Sequence, residues 1–284
     1  MAFGKKRQGS GVVTQSPAPE TGPAAPSILD QYVRSAPSAQ NAVDIFAGEW
    51  SSALPEATGA NAGQVPLFTD PRVTWVIETV GGIDSFRVLE LGPLEAGHTY
   101  MLHQAGAEVV AIESNTRAYL KCLVVKELLD MSGCHFLLGD FAPYLETCTD
   151  HFDLLLASGV LYHSPDPIGL LESIARVSDR VGIWTQYYEA NVVAADPAKA
   201  RMFVVDSEVL EWRGHSLTLH RRDYLESLQW GGFCGGPETS ALWMERDDLL
   251  TVLTELGFSD IQIHSDDLTH QNGAAIMLCA SRPS

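Results

Sequence analysis

Apolar and polar positions alternate along the second two thirds of the chain in a regular way. Short apolar runs at residues 87–91, 109–112, 135–138, 152–157 and 180–184 read as buried strands. Between several of them the apolar spacing changes to every third or fourth residue. This predicts helices at residues 98–104, at residues 116–131 with Leu120, Leu123, Val124 and Leu128 on one face, and from Asp166-Pro167 onward with Leu170, Leu171, Ile174 and Val177 buried. A further helix is expected at residues 245–256, stopped by Gly257, and then two strands at 261–264 and 274–280. Buried strands alternating with helices imply a parallel sheet covered on both faces.

The rhythm fails in three places. Residues 1–26 are rich in Gly, Ser, Pro, Ala and Thr and bury too little to order themselves, so a disordered tail is expected there. Residues 27–85 suggest a helical segment. Two short helices are expected, one carrying Ile28, Leu29, Tyr32 and Val33 and one carrying Ala42, Val43, Ile45 and Phe46. A third opens at Asp70-Pro71, with Asp70 as its cap, and stops at Gly81-Gly82. Residues 186–241, which hold Tyr187, Tyr188, Trp212 and Trp230, are too long for a crossover and read as a cap inserted into the 86–284 domain, over the carboxyl edge of the sheet.

Composition narrows the chemistry. The 36 acidic residues outnumber the 18 basic ones, a net charge of −18. That balance disfavours nucleic acid, whose partners carry basic patches. The 5 cysteines form no CxxC pair, which suits reduced, buried thiols in a cytoplasmic protein. There is no apolar run long enough to span a membrane, no metal-ligand spacing, and no G-x-S-x-G nucleophile elbow. Oligomeric state is not readable.

The candidate site begins where the first strand ends, in Glu90-Leu91-Gly92-Pro93-Leu94-Glu95-Ala96-Gly97. Strand, glycine turn and helix place backbone beside a ligand at the carboxyl edge of a doubly wound sheet. The second run ends at Glu113, an acid positioned to accept from ribose hydroxyls, at about 1.5–3 kcal/mol for each such bond. A dinucleotide fingerprint would need a glycine where Leu94 stands, and Glu95 in the turn is expected to repel a pyrophosphate. Acidic groups suit a cationic ligand instead.

These residues resemble motif I of the class I methyltransferases that use S-adenosylmethionine (SAM), with the usual G-x-G-x-G replaced by Gly92, Leu94 and Ala96, and Gly97 displaced by one. The resemblance implies a seven-stranded Rossmann-like sheet, mostly parallel with the last strand antiparallel, and SAM as cofactor. It also implies roles for single residues. Glu90 would approach the SAM amino group through water, and Gly92 and Gly97 would line the cofactor. Asp140-Phe141 resembles the adenine-binding pair, with helix capping by Asp140 as the alternative. Asn115 beside Glu113 caps a helix or touches the cofactor. Ser158-Gly159-Val160-Leu161-Tyr162-His163 follows the fourth strand, and its GVLYH string resembles the branch that contains the tRNA wobble-uridine carboxymethyl-transferring enzymes; the backbone at Ser158 and Gly159 would line the methionine part, and Tyr162 contacts cofactor or substrate or is a strut at the strand end.

His163 is a candidate general base or a strut at a strand end, and Tyr187 a candidate base, substrate wall or core residue. The acidic chain shows no anticodon-binding surface. The reading is therefore a SAM-dependent methyltransferase acting on a small molecule by O- or N-methylation. A tRNA-modifying transferase and a SAM-binding partner without turnover stay open.

Overall fold

The computed structural model describes residues 31–203, 207–230 and 232–283. Residues 31–36 carry no helix, and Tyr32 and Val33 are exposed; the remainder of the first expected helix, with Ile28 and Leu29, lies outside the described residues, as does the 1–26 tail. From Pro37 the chain forms one compact unit. Its leading part holds α1 (Ala39–Val43), capped by Ser38, and α2 (Pro71–Thr79). Asp70 caps α2 by accepting from Arg72 N, and Pro71 supplies the preset φ of the first turn.

Strand β1 (Arg87–Leu91) leads through the glycine turn into α3 (Gly97–Gln104). Then follow β2 (Glu108–Glu113), α4 (Thr116–Leu128), β3 (Cys134–Leu138), α5 (Phe141–Thr147), β4 (Leu154–Ser158), α6 (Pro167–Val177) and β5 (Arg180–Gln186). Beyond β5 come α7 (Ala190–Ala194) and α8 (Pro197–Ala200), then β6 (Glu208–Trp212), β7 (His215–Asp223) and β8 (Ser240–Met244). The chain closes with α9 (Arg246–Glu255), β9 (Asp260–Asp267) and β10 (Ala275–Ser281).

The main sheet has 7 strands in the order β3-β2-β1-β4-β5-β10-β9. Strands β1 to β5 pair in parallel, and β10 runs antiparallel to both β5 and β9. This is the Rossmann-like methyltransferase sheet. Strand order reverses between β1 and β4, and a crevice at that switch point receives ligands in such sheets. One face of the sheet packs on α6 and α9 through Leu171, Ile174 and Val252; the other packs on α2, α3 and α4 through Val76, Leu102 and Val125. All six are buried to within 1% of complete, and full burial contributes roughly 1.5–3 kcal/mol for each large aliphatic side chain.

The buried face of α4 is not the one its leucines predict. Leu120 and Leu123 are 44% and 38% exposed, whereas Ala118, Lys121, Cys122 and Val125 are buried. Ala118, Cys122 and Val125 recur at helical spacing, and Lys121 joins them because its ammonium pairs with buried Glu95 at 2.7 Å and donates to Glu49 O. An ion pair from outside the helix, invisible in its own periodicity, sets its rotation. Helix α5 also escaped the apolar pattern. It is set by its cap, Asp140 Oδ1 accepting from Ala142 N at 2.8 Å.

The insertion after β5 is built on a 3-stranded antiparallel sheet, β6-β7-β8. Its last strand extends to Met244, past residue 241, and passes directly into α9. It is stitched to the chain that follows β4: Trp243 Nε1 donates to Tyr162 O at 2.9 Å, and Leu242 N donates to Ser164 O at 3.0 Å. Tyr224, Ala241 and Trp243 are buried there, with Tyr162, Tyr188, Phe203 and Phe233 packed against them.

Candidate active site

The turn after β1 takes a left-handed conformation at alternate positions: Gly92 (φ 66°), Leu94 (φ 54°) and Ala96 (φ 62°). The loop thus keeps the left-handed path with non-glycine residues at two positions, each costing about 1–2 kcal/mol. At Gly92 no substitute fits, because a Cβ would sit 2.6 Å from Val160 Cγ1. At Gly97 a Cβ would sit 2.7 Å from the Cβ of Leu67, so this glycine lets α3 approach the segment before α2.

Glu113, at the tip of β2, holds the turn as well as facing the cavity. Its Oε2 accepts from Leu94 N at 3.1 Å and its Oε1 from Asn115 N at 2.8 Å. Burial pushes its pKa up and these backbone donors pull it back. Each carboxylate oxygen keeps a second lone pair for a ligand hydroxyl.

A cavity of about 310 Å³ opens beside this turn. It collects Gly92, Gly97, Glu113, Asp140, Phe141, Ser158, Gly159, Tyr162 and His163 from the tips of β1 to β4. Three candidates stand outside it. Glu90 is buried behind the turn, where its Oε2 accepts from Thr99 Oγ1 at 2.5 Å and desolvation raises its pKa to about 7. Asn115 caps α4, accepting from Arg117 N and Ala118 N at 3.0 and 3.1 Å. Tyr187 is 2% exposed, and its hydroxyl donates to Asp266 at 2.6 Å; burial and that carboxylate hold its pKa well above the phenol range. Its contacts are those of a core residue joining β5 to β9.

Glu95 also behaves differently from expectation. It does not charge the ligand side of the turn: it is 1% exposed, pairs with Lys121, and accepts from Ser51 N and Ser52 N. What it does is fasten residues 51–52 onto the turn.

Several lining residues carry no sequence signal, because distant elements supply them. Arg72 and His98 share Asp70, with Arg72 Nε at 3.0 Å and His98 Nε2 at 2.9 Å. Burial acts to raise the pKa of Asp70, but the hydrogen bonds from His98 and Arg72 hold it well below the carboxylate range. The Arg72 guanidinium lies over the Trp184 ring at 4.6 Å. The loop at residues 234–238 of the insertion closes the far side. There His163 Nδ1 lies 2.7 Å from the Tyr224 hydroxyl. Burial, helped by the charge of Arg222, lowers the His163 pKa to about 4, so the imidazole is neutral at physiological pH. Tyr162 is pushed up to about 12 by burial and keeps its proton. Among the described residues no group of acidic, histidine or cysteine side chains is arranged to hold a metal ion, and no helix is long and apolar enough to cross a membrane.

Comparison with known proteins agrees with this geometry. Residues 89–185 match the family model described as "Methyltransferase domain". The N-terminal domain of EvdMO1, crystallised in the presence of S-adenosylhomocysteine (SAH) and D-fucose, is 22% identical with a TM-score of 0.56, over 79% of this chain and 86% of that one. Magnesium protoporphyrin IX methyltransferase from Synechocystis PCC 6803 with bound SAH is 18% identical with a TM-score of 0.50, over 75% and 81% of the two chains. No curated protein sequence matches. Residues 89–185 thus match a methyltransferase domain, and the sheet shares the fold of methyltransferases crystallised with SAH.

Proposed function

We propose that this protein transfers the methyl group of SAM to an oxygen or nitrogen of a small-molecule substrate. The observation that carries the reading is one open cavity with two chemically different sides. The strand tips supply carboxylates and close-packed backbone; the opposite end is walled by Tyr162, His163, Trp184 and the loop at 234–238. Glu113 suits ribose hydroxyls, Asp140 suits the exocyclic amine of adenine, and Gly92 and Gly159 let backbone approach a thioether chain.

When bound, SAM supplies a methyl group already activated by its sulfonium. The protein's contribution is then position: it brings a substrate atom in line with that methyl and excludes water, and orientation of this kind accounts for about 7–11 kcal/mol of barrier in favourable cases. The GVLYH string that resembles the tRNA-modifying branch reaches both ends of the cavity, Gly159 on the cofactor side and Tyr162 and His163 on the opposite wall. The net charge of −18 argues against RNA as substrate.

The test is to incubate the full chain with methyl-labelled SAM and a cell extract separated into RNA, protein and dialysable fractions. Label is expected in the dialysable fraction. Label in RNA would replace this reading with the tRNA one. SAM binding without label in any fraction would point to a binding partner without turnover.

A further inference from the structure

The walls of the open cavity are not held alike. On one side Leu94 N is tied to Glu113 Oε2 at 3.1 Å, and Arg72 and His98 are both tied to Asp70. At Tyr162 and Ser164 the wall is fastened by Trp243 Nε1 donating to Tyr162 O and Leu242 N donating to Ser164 O. Residues 234–238 line the cavity too, yet among the described residues they make no hydrogen bond, ion pair or ring contact.

The span has pinned ends and a loose crossing. Tyr224 N donates to Thr239 O at 3.0 Å, and the Phe233 ring stands edge-on to the Tyr224 ring, 4.9 Å between centroids. Between Phe233 and Thr239 the chain is held by packing alone. A Cβ on Gly235 would lie 2.9 Å from His163 Nδ1, whereas one on Gly236 would meet nothing within 4 Å. Cys234 shares with Leu94 the border between this cavity and a second recess of about 370 Å³ that holds Trp50 and Lys121. The span therefore crosses from the His163 wall to the turn at the strand tips.

Gly235 is buried, and its peptide N–H and C=O have no partner among the described residues. A glycine has no side chain, so the surface it gives the cavity is main chain. Buried peptide groups are nearly always paired. With few bonds to break, the span lifts easily, and a ligand that pairs with it biases it toward the lowered position.

We propose that residues 234–238 form a strap that closes over bound cofactor, the Gly235 peptide pairing with the ligand and the Cys234 thiol losing its access to solvent. The proposal rests on the cofactor reading above and adds to it the part that moves. Closure expels water from between the strap and the strand tips, so that the methyl group meets the acceptor and not water.

Cys234 reports on the strap directly. It is exposed, whereas Cys122, Cys134 and Cys279 are buried and Cys148 is half-buried and outside the cavity. The experiment alkylates the full chain with N-ethylmaleimide, with and without SAH, and follows each thiol by peptide mass spectrometry; SAH saturation is established separately by calorimetry. Saturating SAH is expected to slow Cys234 at least tenfold and to leave Cys148 within twofold. Amide hydrogen exchange across residues 232–239 should slow by a similar factor. In Gly235→Ala the added methyl group would press on His163 and Phe233 and hold the strap off, so the protection of Cys234 should fall below threefold at SAH saturation. SAH bound without protection of Cys234, equal protection of Cys148, unslowed exchange in the strap, or protection undiminished in Gly235→Ala overturns the strap and leaves the cofactor reading in place. Where that variant does not fold, hydrogen exchange in the unaltered chain decides. Absence of SAH binding to the unaltered chain overturns both.

Discussion

At the end of the cavity formed by the strand tips, Glu113 takes its hydrogen bonds from Asn115, 2 residues away, and from Leu94, 19 residues away in the adjoining turn. At the opposite end, His163 meets Tyr224 across 61 residues, and Trp243 reaches Tyr162 across 81. The first end is assembled from neighbouring strand tips, whose spacing the fold itself dictates. The second depends on an insertion and a leading helix that return to the sheet from elsewhere. The same 5 strands can therefore keep one end while the other is rebuilt, and on the proposed function the rebuilt end is the one that would choose the substrate.

The sharpest way to break the ordered end is to strand a charge beneath it. Lys121→Met leaves Glu95 buried without its cation, and about 3–5 kcal/mol of stability is expected to be lost, read from the urea midpoint at constant slope. Retained stability in that variant would mean that the pair does not fix the turn.

The next effect is a pH dependence at Glu90. Its folded pKa of about 7 lies above the ordinary 4.5. A carboxyl raised on folding contributes no penalty below the unfolded value and an increasing one as pH climbs through the folded value. Stability should fall between about pH 4.5 and 7 by about 3 kcal/mol on this account. Glu90→Gln should remove that part of the slope, measured by unfolding at both ends of the window.

Legibility followed the same division. Strand β1 lies where its apolar run predicts, as do the caps at Asp70 and Asp166 and the stripe of α6, because each is set by residues close in sequence. The rotation of α4 departs from its leucine spacing because Lys121 answers to Glu95. Glu95 looked like a ligand-facing charge because the segment that uses it, Ser51-Ser52, lies 43 and 44 residues earlier. Tyr187 looked like a substrate wall because its partner, Asp266, is 79 residues later. Arg72, Trp184 and Tyr224 gave no signal at all, since their place at the site exists only once the chain has folded.

Two smaller effects sharpen the contrast. Glu113→Ala is expected to weaken SAM binding tenfold or more, about 1.4 kcal/mol, by calorimetry. Unchanged affinity there would remove the ribose contact from the account. Ala96→Gly relieves a left-handed alanine whose φ is 62° and should raise stability by at most about 1 kcal/mol, the gain being offset by the greater freedom of glycine in the unfolded chain. A loss of stability would show that the methyl group packs better than its backbone is strained.

The most direct measurement is a crystal structure of the full chain grown with SAH. The account predicts ribose hydroxyls on Glu113, adenine beside Asp140 and Phe141, and the sulfur directed toward Tyr162 and His163. Nucleoside density at another surface, or none in this cavity at saturating SAH, would contradict it.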